Sequence, residues 1–330
     1  MKINNLIIFG GNRDKENGPV TPLIQSVLKK KIPVVLFTDN IHLKMRDSQN
    51  IEFREKLKNY EKKGLKIKNC KKISADQIKK FVNEKTLGLS INSKWIFEQK
   101  IIDLFKGNMF NYHNTRLPLE RGAGAYTWRI LSKSNLGGLT IHKMDAKLDT
   151  GDIIYQKNFI FPKTCKIAKD FYKYIEKKED KFLEEFINKS KNNKKFKIKT
   201  NLNKNSTYWP RLETKKHGFI DWNWTTKDVE SFIQAFDDPY PGASTFLDNK
   251  RIFLKKCQIS NEKTNFHPFQ AGIIIRKYNK NILVAANGKG LIIHQLLNEN
   301  GKDIFSQIKL GHRFHTPTAI LEDAKTYRAK

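Results

Sequence analysis

Short apolar runs that alternate with longer stretches of helical spacing admit few folds, and the first third of this chain is built that way. Leu6-Ile-Ile-Phe9 is closed by Gly10-Gly11, and helical spacing runs from Thr21 to Leu28 before the next apolar run, Pro33 to Phe37. A charged helical stretch from Arg54 to Lys63 leads to Leu65-Lys-Ile, Ala75 to Val82 again has helical spacing, and Thr86 to Ile91 reads as a buried strand. Strands separated by helices of that length predict a Rossmann-like α/β domain, a parallel sheet with helices on both faces. In open sheets of this kind ligands gather at the carboxyl ends of the strands. Gly10-Gly11-Asn-Arg lacks the spacing of a dinucleotide fingerprint and reads as a tight strand-to-helix turn.

The last third changes character. Ser244 to Leu247, Arg251 to Leu254, Gly272 to Ile275, Asn281 to Ala286 and Gly290 to His294 are short β-type runs separated by Asn-, Asp- and Gly-containing turns. That spacing predicts a small β-barrel or sandwich, preceded by a helix from Lys227 to Phe236. Between the two parts, Ala168 to Lys195 is a charged helix whose Phe171, Tyr174, Phe182 and Phe186 form an apolar face. The Lys- and Asn-rich run from Lys189 to Asn205 is placed as the linker, which gives domains at 1–200 and 201–330.

Composition limits the function classes. A formal charge of +30 suggests an anionic partner, yet only 11 of the 63 basic residues are Arg, the side chain that forks onto phosphate. The Lys is spread along the whole chain, as solvated faces are. No run approaches the roughly 20 apolar residues of a membrane span, and the N-terminus carries no signal-type segment, so a cytoplasmic protein without membrane insertion is expected. Cys70, Cys165 and Cys257 are far apart and form no zinc or disulfide pattern, so no metal is expected.

The densest chemistry lies between residues 110 and 151. Met109 to His113 is expected as a strand following a helix over Phe97 to Phe105, and alternation then puts Asn111 and His113 on one side near its carboxyl end. A neutral imidazole can accept a proton from an attacking amine, and a carboxamide can donate to the oxyanion formed as the amine adds to a carbonyl. Asp149, ahead of Thr150-Gly151, is the carboxylate that would favour the imidazolium; Gly151 allows a sharp turn with close backbone approach. Taken singly these pieces are commonplace: an Asn-x-His pair is usually incidental, Leu117-Pro118 marks a turn, and His142 reads as a hydrogen-bonded structural histidine. Their order and spacing carry the case.

Asn111-x-His113, Leu117-Pro118, Arg121-Gly122, Gly138-x-Thr140-x-His142-x-Met144-Asp145 and Asp149-x-Gly151 together resemble the catalytic core of the formyltransferases that use 10-formyltetrahydrofolate. Gly218-Phe-Ile-Asp221-Trp222, Asp238 to Ala243 and Leu310 to Pro317 resemble the OB-like C-terminal barrel of the same family. The resemblance implies His113 as proton acceptor, Asn111 as transition-state stabiliser and Asp149 as the carboxylate tuning His113. It implies folate contacts at Trp95, Ile96 and Phe97, at Leu117 and Pro118, and at Asp145, Ala146, Lys147 and Leu148, with 10-formyltetrahydrofolate as co-substrate. It also implies Ser-Leu-Leu-Pro where this chain has Thr115-Arg116-Leu117-Pro118, which leaves the effect of Arg116 on the local pocket open.

For the accepting amine, a methionyl-tRNA formyltransferase would carry a basic Gly/Pro-rich loop after the second strand, whereas Asn40 to Asn59 has neither Gly nor Pro and charges of both signs. Tyr208-Trp-Pro-Arg211 ahead of Gly218 to Trp222 resembles the connection in sugar N-formyltransferases, and Trp209 and Trp222 are expected to pack between domains. The expected partner is therefore a nucleotide-linked amino sugar, with a formamido sugar for O-antigen or another surface polysaccharide as product. A homodimer is compatible with this reading, and tRNA is the alternative acceptor. The alternative of another class is a non-catalytic, Lys-rich module that binds RNA or an anionic surface.

Overall fold

The computed structural model describes residues 3–13, 17–200 and 205–329; part of the expected linker, 201–204, lies outside the described residues. In chain order the elements are β1 (Asn5–Gly10), α1 (Val20–Lys29), β2 (Val34–Thr38), α2 (Asn40–Lys44), α3 (Phe53–Glu61), β3 (Lys66–Asn69), α4 (Ala75–Lys79), β4 (Thr86–Ile91), α5 (Gln99–Asp103) and β5 (Met109–His113). There follow β6 (Arg121–Gly122), α6 (Ala125–Leu131), β7 (Leu136–Lys143), β8 (Ile153–Ile160), α7 (Ala168–Lys191), β9 (Tyr208–Trp209), α8 (Thr214–His217), α9 (Thr226–Ala235), β10 (Ala243–Leu247), β11 (Lys250–Ile259), β12 (Ile274–Lys277), β13 (Ile282–Ala285), β14 (Gly290–Asn298) and α10 (Thr318–Thr326). The chain divides into two compact units. The first is Met1–Gly122, Leu136–Phe161 and Tyr172–Tyr208; the second is Ala123–Asn135, Pro162–Phe171 and Trp209–Lys330.

The first unit is built on a seven-stranded sheet of order β3-β2-β1-β4-β5-β7-β8. Strands β1 to β5 are parallel, as their alternation with helices requires. The expectation of a wholly parallel sheet is corrected at one side, where β7 runs antiparallel to β5 and β8 antiparallel to β7. Only residues 144–152 separate β7 from β8, too few for the helical crossover that parallel neighbours need.

Strand alternation sorts the core into two layers. Leu6, Ile8, Leu87, Leu89, Phe110 and Tyr112 pack with residues of α1, α3 and α7. Ile7, Phe9, Val35, Phe37 and Met109 pack with Ile78 of α4 and Ile101 and Ile102 of α5. Helices therefore cover both faces, and Asn111 and His113 share the parity of Met109. At the end of β1, Gly10 has φ +124°, and a side chain there would collide with the Ile91 carbonyl of β4.

The second unit contains a five-stranded antiparallel sheet of order β10-β11-β14-β13-β12. The segment near its end bridges both outer strands of this sheet or their immediate extensions, through Phe246↔His315 and Ile273↔Arg313. Trp222 is buried, stacks on Phe314 and donates from its indole to Thr245 Oγ1 at 3.0 Å. Its role is thus packing within this unit.

Candidate active site

The site grows from the carboxyl end of β5. Backbone register sets Asn111 directly opposite His142 and His113 opposite Thr140 on β7. Cross-strand neighbours on one face have their Cβ atoms roughly 5 Å apart, so the two side chains at each position must interact. Asn111 Nδ2 lies 3.1 Å from His142 Nε2, and His142 Nδ1 lies 2.8 Å from the Lys143 carbonyl.

Asp149 completes the cluster from the β7–β8 connection. Its backbone is left-handed (φ +51°), a conformation Asp tolerates better than most residues. Two residues on, a Cβ at Gly151 would stand 1.9 Å from the Lys143 carbonyl oxygen, so the close approach expected for this glycine is real. The connection is braced internally: Asp145 accepts the Thr150 hydroxyl at 2.6 Å and the Lys147 amide at 2.9 Å. Asp149 Oδ2 accepts the Gly122 amide at 3.0 Å and lies 3.9 Å from His113 Nε2. Its Oδ1 is 3.5 Å from both Asn111 Nδ2 and His142 Nε2. Burial opposes the charge on this carboxylate, but His113, His142 and the Gly122 amide outweigh it and hold its pKa well below the usual carboxylate range.

His113 Nε2 also faces the Glu120 carbonyl at 3.0 Å, an oxygen shared with the Thr115 hydroxyl at 2.6 Å. A carbonyl only accepts, so in the neutral ring Nε2 carries the proton and Nδ1 is the basic nitrogen. The question left open by Arg116 is answered locally. Its guanidinium pairs with the Glu120 carboxylate at 2.7 Å and its amide donates to the other carboxylate oxygen at 3.1 Å, so its charge is neutralised within the loop.

The residues implied as folate contacts divide into two kinds. Ile96 is 91% exposed, Leu148 is 59% exposed, and Ala146 and Lys147 are also exposed, all just beyond β4 or in the β7–β8 connection. Trp95 packs against the α4/α5 layer and donates its indole N–H to the Lys71 carbonyl at 3.3 Å. Phe97 is 6% exposed and meets Phe9 edge-on, and Leu117 is equally enclosed; only their backbones are left to face a ligand. Pro118 follows Leu117 through a cis peptide bond. Among the described residues, no group of three or more His, Cys, Asp and Glu could hold a metal ion, and no helix is long and apolar enough to cross a membrane.

Sequence reasoning placed Asn111, His113 and Asp149 together but missed three of their partners. The Gly122 amide and Glu120 carbonyl are backbone groups that residue type does not advertise. His142 is the hydrogen-bonded histidine the sequence led one to expect, but that its partner is Asn111 follows only once β7 is known to run antiparallel to β5.

The family model for formyl transferases matches residues 25–187, and the model for the formyl transferase C-terminal domain matches residues 213–309. The methionyl-tRNA formyltransferase of Rickettsia bellii is 30% identical over 223 residues, covering 68% of this chain and 69% of that enzyme. The enzyme of the same name from Desulfotalea psychrophila is 30% identical over 207 residues, covering 63% of this chain and 62% of its own length. The crystal structure of an N-formyltransferase from Helicobacter canadensis, in complex with folinic acid and dTDP-3-aminofucose, superposes with a TM-score of 0.65 at 19% identity over 88% of this chain and 99% of that one, a likeness of fold. On the strength of the family models and the Rickettsia relative, the chain belongs to the formyl transferase family.

Proposed function

We propose that this protein transfers the formyl group of 10-formyltetrahydrofolate to the primary amine of a nucleotide-linked deoxyamino sugar. The observation that carries the chemistry is the placement of Asp149 between His113 and the Asn111–His142 pair. The amine nitrogen attacks the formyl carbon, a C–N bond forms, and the carbonyl electrons move onto oxygen. Asn111 donates an N–H to that oxyanion, and His113 takes the proton released from the attacking nitrogen. The ionised Asp149 stabilises the resulting imidazolium. As the oxyanion collapses, the bond from carbon to the folate nitrogen breaks, and His113 returns the proton to that leaving nitrogen. The exposed Ile96 and Leu148 supply apolar surface for a planar ring system, and the braced 145–150 connection supplies backbone groups.

The acceptor assignment is supported by the segment after β2. In place of a basic Gly/Pro-rich loop, it folds into α2 and α3, with Arg46 paired to Glu52 at 2.6 Å and Arg54 to Glu61 at 3.3 Å. Those cations are already engaged by carboxylates. The extent of the structural likeness, nearly the full length of a chain crystallised with a dTDP-amino sugar, points the same way. The second reading, methionyl-tRNA as acceptor, is favoured by the sequence relatives, of which the aligned part spans 62% to 69%. We read the second unit as an OB-like barrel, with residues 313–315 closing its sheet, and the formamido sugar as a precursor for a surface polysaccharide.

Tetrahydrofolate release, followed by absorbance against a panel of nucleotide amino sugars and methionyl-tRNA, tests both readings. Turnover with an amino sugar is expected. Turnover with charged tRNA alone overturns the acceptor assignment, and absence of any folate-dependent thermal stabilisation overturns the enzyme reading in favour of an anion-binding module.

A further inference from the structure

His142 is nearly inaccessible, 2% exposed, and the formyl-transfer mechanism above gives it no proton to carry. Its two ring nitrogens are both engaged. Nδ1 lies 2.8 Å from the Lys143 carbonyl, which can only accept, so Nδ1 carries the hydrogen. In the neutral ring Nε2 is then bare and can only accept; of the two atoms that approach it, Asn111 Nδ2 at 3.1 Å carries a hydrogen to give and Asp149 Oδ1 at 3.5 Å does not. The opposite orientation of the carboxamide would bring Oδ1 against the Nε2 lone pair, two acceptors with no hydrogen between them.

We propose that His142 is a positioning residue that fixes the carboxamide of Asn111 with its nitrogen turned toward Asp149, so that its second N–H is presented to the oxyanion. This inference rests on the formyl-transfer reading. One N–H of Asn111 is committed to His142. The other has only the 3.5 Å approach to Asp149 Oδ1, at the limit of a hydrogen bond, and is free to shift to an oxygen that gains charge. The register of β5 against β7 sets the pair directly opposite each other, so the orientation is built into the sheet rather than left to a mobile loop. Asn is the residue that needs such a clamp, because its two ends are nearly the same shape and opposite in hydrogen-bonding sense.

Two measurements test this, one of which needs no turnover. Nitrogen-15 NMR of the His142 ring in the full chain should show a protonated Nδ1 and a bare, hydrogen-bonded Nε2; a protonated Nε2 with a bare Nδ1 overturns the proposal whether or not an acceptor has been found. In the turnover assay, His142→Ala should lower kcat at least about tenfold, part of the 10²- to 10³-fold associated with losing an oxyanion donor, with KM for both substrates within twofold. His142→Gln, whose side-chain oxygen can accept from Asn111, should recover most of that loss. Equal loss in both variants, or wild-type kcat in His142→Ala, shows that His142 only fills space. Failure of the wild type to release tetrahydrofolate with any amine counts against the underlying reading, while the NMR result still decides the clamp.

Discussion

The two faces of β5 each hold a buried carboxylate, and the two are treated in opposite ways. In front, Asp149 meets His113, His142 and the Gly122 amide, and its pKa is held well below the ordinary range. Behind, Tyr112 donates its hydroxyl to Glu179 of α7 at 2.6 Å, and Glu179 also pairs with Arg13. Glu179 is 1% exposed, and there burial pushes its pKa up against the pull of Arg13 and Tyr112. Adjacent positions on one strand thus face a carboxylate held ionised beside two imidazoles and one that ties a helix to a sheet. Alternation along a strand lets a candidate site and a helix anchor share three consecutive residues, Asn111, Tyr112 and His113, without sharing an environment.

The sharpest way to break this contrast is Asp149→Asn. It keeps the shape and the Gly122 contact while removing the charge, so kcat should fall about 10²-fold or more and folate binding should persist; unchanged kcat would place the carboxylate outside the mechanism. The same variant carries a stability signature. A depressed carboxylate pKa contributes stability that is present above the unfolded value and lost as pH falls through the folded one. Thermal melts of the wild type should therefore lose this contribution on acidification below about pH 4, and Asp149→Asn should show a shallower acid limb.

Glu179→Gln should do the reverse. It removes the Glu179 carboxylate that Arg13 and Tyr112 both engage and should cost about 3 kcal/mol of stability in denaturant titration, with kcat reduced only a few-fold. A raised pKa has the opposite pH sense: its contribution is present below the unfolded value and is lost as pH rises through the folded one. The variant should accordingly change the acid limb in the direction opposite to Asp149→Asn. The smallest effect is expected for Tyr112→Phe, which removes one hydrogen bond to a charged group, about 1.5–3 kcal/mol, and leaves the Asn111 and His113 face intact. A kcat loss in Tyr112→Phe as large as that of Asp149→Asn would erase the distinction between the faces.

What could be read from the residues follows the same division. Apolar runs such as Leu6 to Phe9 and Thr86 to Ile91 announced their strands because burial on both faces leaves little choice of side chain. The antiparallel turn of β7 and β8 was not legible, since direction depends on connection length rather than composition. Helix α6 was passed over because Ala125 to Leu131 follows two glycines and mixes aromatic, β-branched and charged residues. In the site, Asn111, His113 and Asp149 stood out as functional side chains in an ordered motif, and their convergence is what the fold adds. The Arg116–Glu120 ion pair was hidden from single-residue reading, because the effect of Arg116 on the pocket depends on a partner four residues on that closes the loop.

In the proposed mechanism His113 moves the proton during formyl transfer. The most direct test compares the wild type with His113→Asn in tetrahydrofolate release under single-turnover conditions, with folate binding followed by thermal stabilisation. The account predicts equal stabilisation by folate and a release rate lower by about 10³-fold in the variant. Release at the wild-type rate would contradict it.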